Sequence, residues 1–134
     1  MIKLVTDLND KVIVTSKSGF VPQQSDSDAN RFVFFYEITI HNNSDAPCQL
    51  MSRHWLIQDA NRKVEEVYGE GVIGEQPLIQ PGEKYQYTSG AVLETEIGTM
   101  EGRYFMLQKS LDSEPLEFEI SIPKFTLSVP RTLH

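Results

Sequence analysis

The 134-residue sequence has a single cysteine, no long apolar run and no cluster of basic residues. A disulfide needs two cysteines, so Cys48 forms no internal bridge, and it has no C-x-x-C partner for zinc. Without an apolar stretch of about 20 residues, no segment is expected to insert into a membrane. The first ten residues also lack a secretory pattern. These absences predict a cytoplasmic protein without disulfides.

Positive charge is also scarce. The chain has 19 acidic and 12 basic residues, which gives a formal net charge of −7. Nucleic-acid phosphates are held mainly by clustered lysine and arginine, and Arg62–Lys63 is the only adjacent basic pair. Nucleic acid is therefore not expected as a partner.

Apolar residues alternate with polar ones along several segments, as expected for strands with one buried face. The clearest alternating positions are Phe32, Phe34, Tyr36, Ile38 and Ile40, and Leu116, Phe118, Ile120 and Ile122. Further strands are predicted near 12–14, 48–57, 62–69, 85–87, 105–107 and 124–129. Turn residues separate these segments, and no amphipathic helix stands out. The pattern predicts one domain over 1–134, an antiparallel β-sandwich with 1–10 as a poorly ordered or peripheral segment.

Trp55 is the expected core aromatic, since a central strand of a sandwich commonly buries a large ring. Alternation places Arg53 and Ile57 on the same face as Trp55. Arg53 is therefore expected either at the edge of the sandwich or paired with an acidic residue. His54 points to the opposite face and is expected to have a structural role.

Arrangements typical of catalysis are missing. No serine lies in a G-x-S-x-G elbow, and Cys48 is expected to be a buried, inert thiol. Glu65 and Glu66 are adjacent on a predicted strand, so they point to opposite faces and cannot act as a pair. No spacing typical of a metal site occurs. We predict a protein that is not an enzyme, with no catalytic residue, metal ligand or cofactor.

The segment Gly69–Pro77 has the glycine spacing G-x-G-x-x-G, which in dinucleotide-binding enzymes lies between a strand and a helix. Here Pro77 and Pro81 follow at once, and proline blocks the interior of a helix. The segment is therefore predicted to be a loop between strands, which excludes a Rossmann enzyme.

Two interpretations of this loop remain open. Its glycines, Gly69, Gly71 and Gly74, could let main-chain amides converge on pyrophosphate or a nucleotide. Glu70 and Glu75 would then repel the bare anion, unless a divalent cation bridges them to it or their carboxylates point away. Alternatively, the glycines only allow positive φ angles in a turn.

Several ordered blocks of the sequence, which together run from about residue 11 to the C-terminus, resemble the ApaG family. They are Ser52–Ile57, Gly69–Ile79, Pro81–Glu83, Tyr85–Gly90, Gly98–Gly102, Ile122–Phe125 and Pro130–His134. The resemblance implies a fibronectin type III-like, immunoglobulin-like sandwich. It also implies a link with cobalt resistance and magnesium efflux, and a gene near a diadenosine tetraphosphate hydrolase.

Two functional hypotheses follow. In the first, the protein is a non-enzymatic interaction module that acts on cobalt and magnesium homeostasis indirectly, through an unknown protein partner. In the second, the Gly69–Pro77 loop binds pyrophosphate, a nucleotide or a metal–phosphate complex. An edge strand could also pair with a second copy across a two-fold axis and form a homodimer.

Overall fold

The computed structural model describes residues 10–110 and 113–130, so the predicted peripheral segment 1–10 lies almost wholly outside the described residues. Within them the chain forms strands and two short 3-10 turns, Pro22–Gln24 and Ser27–Ala29, and no α-helix. The strands are β1 (Val12–Phe20), β2 (Phe32–Asn42), β3 (Cys48–Asp59), β4 (Val64–Glu70), β5 (Leu78–Ile79), β6 (Lys84–Leu93), β7 (Ile97–Gln108) and β8 (Leu116–Ser128).

The strands form two antiparallel sheets. The smaller sheet has the order β1-β2-β6, and the larger has the order β4-β3-β7-β8, with β5 paired to the first residues of β3. The expected antiparallel sandwich is confirmed, and apart from the short β5 its three strands facing four agree with a fibronectin type III-like arrangement.

The two sides of the sandwich differ. On one side β1 packs against β8, and the Ser18 hydroxyl donates a hydrogen bond to the carbonyl of Thr126 at 3.0 Å. On the other side lie β4, which pairs only with β3, and β6, which pairs only with β2 among the described strands. The sandwich is therefore closed along β1 and β8 and has free strand edges along β4 and β6.

The core contains the alternating positions that the sequence predicts in β2, since Phe32, Phe34, Tyr36, Ile38 and Ile40 are all buried. Burial of alternate residues follows from the two-residue period of a strand, which sends one face towards the second sheet.

Trp55 is the central aromatic residue of this core, as predicted, and only 2% of it is exposed. Its ring lies edge-on to those of Tyr36, Phe125 and Tyr104, with centroid distances of 5.3, 6.0 and 6.4 Å. Edge-to-face pairs at such distances add stability beyond the burial of apolar area. The rings of the two sheets interlock at Trp55.

Cys48, at the start of β3, is fully buried, as predicted. Burial raises the pKa of its thiol, because the thiolate would lose its hydration. The Ser44 hydroxyl lies 3.6 Å from the sulfur.

The prediction of a separate strand over 124–129 is wrong, because β8 continues unbroken from Leu116 to Ser128 across Pro123. The register between β7 and β8 shifts between Met100 and Gly102, and Pro123 lies at this irregularity. A bulge on an edge strand accommodates a residue without an amide donor. A proline in the sequence therefore marks a bulge here and not the end of a strand.

Candidate functional site

The segment Gly69–Pro77, which we call the glycine loop, begins with the last two residues of β4 and then forms a tight turn. Gly71 and Gly74 have φ angles of 63° and 81°. The Val72 amide donates to the Glu75 carbonyl at 2.8 Å, the Glu75 amide donates to the Val72 carbonyl at 2.9 Å, and the Gly71 amide donates to the Met51 carbonyl at 2.8 Å. These three amides are satisfied within the protein, so they do not converge on an external anion. Binding of a ligand by the loop stays a prediction.

Arg53 connects β3 to this loop. Its Nη1 donates to the carbonyls of Gly71 at 2.8 Å and Glu70 at 3.2 Å. Gly69 lies opposite Arg53 in the β3–β4 pair, and a Cβ at this glycine would lie 2.5 Å from Nη1. Glycine at position 69 therefore makes room for the guanidinium. Arg53 lies on β3, between β4 and β7, and its described partners are main-chain carbonyls and not an acidic side chain.

The two glutamates predicted to bind a ligand are both exposed. Glu70 ends β4, whereas the Oε2 of Glu75 accepts a hydrogen bond from the Tyr85 hydroxyl at 3.0 Å. Burial, and then the hydrogen bond and charge of Glu75, raise the pKa of Tyr85. Glu75 thus connects the loop to the start of β6.

His54 lies on the opposite face of β3 from Trp55. It is buried and stacks on Tyr68 with a centroid distance of 4.0 Å and an interplanar angle of 4°. Its Nε2 lies 3.9 Å from the Oε2 of Glu66 and has no hydrogen-bond partner among the described residues. Stacking therefore contributes to holding the imidazole in place. In the described ranges, no group of three or more His, Cys, Asp or Glu side chains could hold a metal ion.

A cleft of about 270 Å³ lies between the two sheets along their free edges, and we call it the inter-sheet cleft. Val67 of β4, Val72 and Ile73 of the glycine loop, and Tyr87 and Ser89 of β6 form its sides. The buried residues Tyr36 and Trp55 also line it. The glycine loop is therefore one wall of a larger site.

Side-chain contacts bound the inter-sheet cleft at both ends. At one end the hydrogen bond between Tyr85 and Glu75 joins β6 to the glycine loop. At the other end Lys63 and Glu94, whose charged atoms lie 3.3 Å apart, join the start of β4 to the end of β6. Between these contacts the edges of β4 and β6 stay unpaired in the described structure.

Two of the polar side chains that line the inter-sheet cleft, Arg53 and Trp55, can only donate hydrogen bonds, whereas the hydroxyls of Tyr36, Tyr87 and Ser89 both donate and accept. Arg53 carries the only charge among the residues that line the cleft, all of which lie in the described part of the chain. The indole Nε1 of Trp55 is buried and has no hydrogen-bond partner there. Sequence reasoning missed this site, although one signal was present: alternation places Arg53 and Trp55 side by side on the inner face of β3.

Tyr87 and Tyr104 share a hydrogen bond between their hydroxyls inside the sandwich. Burial is the main cause that raises the pKa of each phenol. Above the ordinary tyrosine pKa of 10.0, the unfolded chain loses protons that the folded protein retains. The free energy of unfolding should therefore fall as pH rises above this value, by up to about 1.4 kcal/mol per pH unit for each such group.

In the Tyr104→Phe variant one of the two buried phenols is removed, so the free energy of unfolding should depend less steeply on pH. Urea unfolding between about pH 10 and pH 12 should show that the wild type loses stability more steeply than the variant, by a difference that approaches about 1.4 kcal/mol per pH unit at the upper end. Equal slopes for the two proteins would contradict the raised pKa of Tyr104.

The described residues contain no helix with the length and apolar character needed to cross a membrane.

Comparison with known proteins places this sandwich among its relatives. The ApaG domain matches residues 22–108. Protein ApaG of Dechloromonas aromatica is 52% identical over 124 residues, which cover 92% of this chain and 94% of that protein. Protein ApaG of Escherichia coli O1:K1 is 48% identical over the same length, covering 92% of this chain and 96% of that protein.

A solved structure has the same fold. The crystal structure of the ApaA protein from Bordetella pertussis has a TM-score of 0.84 and 43% identity, and the match covers 90% of this chain and 95% of that one. Family match, sequence identity and fold point the same way, and the chain belongs to the ApaG domain family.

Proposed function

We propose that this protein is a non-enzymatic binding protein that takes up an extended segment of a partner protein along the free edge of β6. The observation that carries the proposal is an unprotected strand edge that opens onto the inter-sheet cleft. A strand added to this edge pairs its main chain with β6, while alternate side chains enter the cleft.

Besides the two-residue β5, four strands pair with only one neighbour, and they differ in how they are protected against pairing. Strands β1 and β8 pack against each other, and β4 carries Glu65, Glu66 and Glu70, the kind of charge that blunts an edge. From Tyr85 to Leu93, by contrast, β6 has no charged residue and no proline. Its edge is the one most open to an added strand.

Charge favours a basic partner over a second copy of the chain. Each copy has a net charge of −7, so two copies repel each other at low ionic strength. Glu65, Glu70, Glu75 and Glu94 lie near the free edges of β4 and β6 and are all exposed. Basic side chains that flank an extended segment would pair with them and speed association.

The link with cobalt resistance and magnesium efflux belongs to the same proposal. Membership of the ApaG family supports the link, and the absence of a three-residue metal-binding group from the described residues gives no direct site for these ions. We propose that the partner protein acts on metal homeostasis and that this protein acts only by binding the partner.

The proposal is tested on a partner recovered by affinity capture from the source cells. Amide hydrogen exchange in the complex should show new protection within residues 85–93 of β6 and none within 64–70 of β4. Protection on β4, or on neither strand, would overturn the proposal. The molecular mass of the complex in solution is measured at the same time. A homodimer in which β6 is protected would show that the strand added to β6 comes from a second copy of this chain.

Two exposed valines give a matched pair of variants for this test. Val92 lies on β6 and is 49% exposed, and Val64 lies on β4 and is 54% exposed. The Val92→Lys variant should weaken partner binding by roughly tenfold or more, because a lysine protects a strand edge and repels basic residues. Val64→Lys should leave binding nearly unchanged, and equal losses would contradict a site on β6.

A second candidate is the binding of pyrophosphate or a nucleotide, with a divalent cation, at Gly69, Gly71 and Gly74. Arg53 supports it, because its guanidinium brings to the loop a positive charge close enough to attract an anion. This candidate is weaker, since three amides of the loop already donate to protein carbonyls.

A further inference from the structure

The indole N–H of Trp55 is an unused donor in the interior. A buried tryptophan N–H usually has a hydrogen-bond partner, and an exception calls for an explanation. Here Nε1 has no partner in the described structure, although Trp55 is only 2% exposed and lines the inter-sheet cleft. Nε1 has less than 1 Å² of accessible surface, so an acceptor in this cleft reaches it only when the side chains that cover it move aside.

Arg53 offers further donors on the same face of β3. The guanidinium has five N–H groups, and both hydrogens of Nη1 are directed to the carbonyls of Glu70 and Gly71. No described residue accepts a hydrogen bond from Nε or Nη2. These two nitrogens form the planar edge of the guanidinium that matches the two oxygens of a carboxylate.

The remaining surface of the inter-sheet cleft is neutral and largely apolar. Val67, Val72, Ile73 and Met100 line it together with the aromatic residues, and no carboxylate does. A volume of about 270 Å³ is at the small end of ligand sites. The cleft therefore suits a small group that is negatively charged at one end and apolar at the other.

We propose that the inter-sheet cleft binds the C-terminal residue of a partner chain, with its carboxylate on Arg53 and an acceptor on the indole N–H of Trp55. This inference rests on the proposed function, because the same segment then continues along β6. Residues two apart on a strand are separated by about 7 Å. The carboxylate and the preceding carbonyl of one terminal residue can reach both donors, while its side chain fills the apolar part of the cleft.

A chain terminus fits this site better than a phosphate does. A phosphate carries its charge on several oxygens and has no apolar body, so most of its oxygens would face Val67, Val72 and Met100 without donors. A terminal residue presents one planar anion for the free edge of Arg53 and apolar atoms for the rest.

The test uses the single tryptophan of the chain, whose indole N–H gives one cross-peak in a ¹H–¹⁵N spectrum. N-acetyl-phenylalanine, which mimics a chain terminus, is titrated at millimolar concentrations against the wild type, and N-acetyl-phenylalaninamide is titrated in parallel. The acid should move the Trp55 cross-peak saturably, and the amide should bind at least about tenfold more weakly. Equal effects of the two compounds, or no saturable shift with either, would overturn the inference.

Two further ligands distinguish a chain terminus from a free carboxylic acid and from a phosphate. 3-Phenylpropionate has a carboxylate and a ring but no amide carbonyl, so it should bind more weakly than N-acetyl-phenylalanine. If it binds as tightly, the assignment to a chain terminus is overturned in favour of a free acid. A saturable shift of the Trp55 cross-peak with inorganic pyrophosphate in place of the acid would overturn the carboxylate assignment.

Variants confirm the residues involved. Arg53→Lys keeps the charge and loses the planar edge, so the affinity for N-acetyl-phenylalanine should fall at least about tenfold. Arg103→Gln, on the outer face of the neighbouring strand β7, is the matched control and should bind as the wild type does. The acid-against-amide comparison needs no variant, so it stands even if Arg53→Lys loosens the glycine loop.

Failure of this inference is distinguishable from failure of the proposed function. If the acid and the amide behave alike while a partner still protects β6 from hydrogen exchange, only the terminal carboxylate is wrong. If the acid moves the Trp55 cross-peak but the partner protects β4, the strand addition on β6 is wrong and the anion site stands.

Discussion

Replacing Trp55 with alanine is expected to lower the free energy of unfolding by about 3–5 kcal/mol, the usual cost of removing a large buried aromatic ring. The ring contacts Tyr36, Tyr104 and Phe125 in the centre of the sandwich. Because domains of this size are typically stable by about 5–15 kcal/mol, such a loss leaves the variant marginally folded. Urea unfolding followed by circular dichroism measures it, since the variant has no tryptophan fluorescence.

The matched control for this prediction is Trp55→Phe. Phenylalanine keeps an aromatic ring between the sheets and removes the indole N–H, which has no partner to lose in the described structure. Its cost should be no more than about half that of the alanine variant. Equal costs would contradict the view that ring packing and not the N–H contributes the stability. In a folded Trp55→Phe protein the terminal residue of a partner should bind more weakly, because the acceptor assigned to the indole N–H loses its donor.

The second large effect is expected at Gly71. A Cβ at this position would lie 2.1 Å from the carbonyl oxygen of Glu75, and the backbone φ of 63° costs a residue with a side chain about 1–2 kcal/mol. Gly71→Ala should therefore lose about 3 kcal/mol or more, because the turn has to open. Chemical unfolding of the purified variant measures the loss.

Gly74→Ala separates the two causes of that loss. Gly74 has a φ of 81°, yet no heavy atom lies within 4 Å of its added Cβ. Only the conformational cost applies, so this variant should lose about 1–2 kcal/mol. Equal losses for the two variants would contradict the close approach of Gly71 to Glu75.

Gly71→Ala also tests whether the loop binds an anion. In calorimetric titrations with pyrophosphate and Mg²⁺, saturable heat that is present in the wild type and absent from a still-folded variant would support the loop as a ligand site. Absence of heat in the wild type would contradict the second candidate function and leave the glycines as turn residues.

Much of the fold follows from local sequence pattern. The two-residue alternation of β2 predicts which of its side chains are buried, because the period of a strand depends only on its own backbone. Trp55 and Cys48 are likewise predicted as buried residues. Where the pattern fails, at the supposed strand over 124–129, the reason is a bulge around Pro123, which depends on the pairing of β7 with β8.

The candidate site could be predicted from the sequence only in part. From the sequence we could predict the loop before Pro77, although Gly69 and Glu70 of the predicted segment belong to β4, and that Arg53 lies on the same face as Trp55. Only the tertiary structure decides that Arg53 binds the carbonyls of Glu70 and Gly71, that the loop becomes a wall of the inter-sheet cleft, and that β6 is left unpaired on one side. The physical reason is that alternation is a property of neighbours in the chain. A free strand edge or an unpaired indole N–H depends on every residue that could have packed against it, and most of these are distant in sequence.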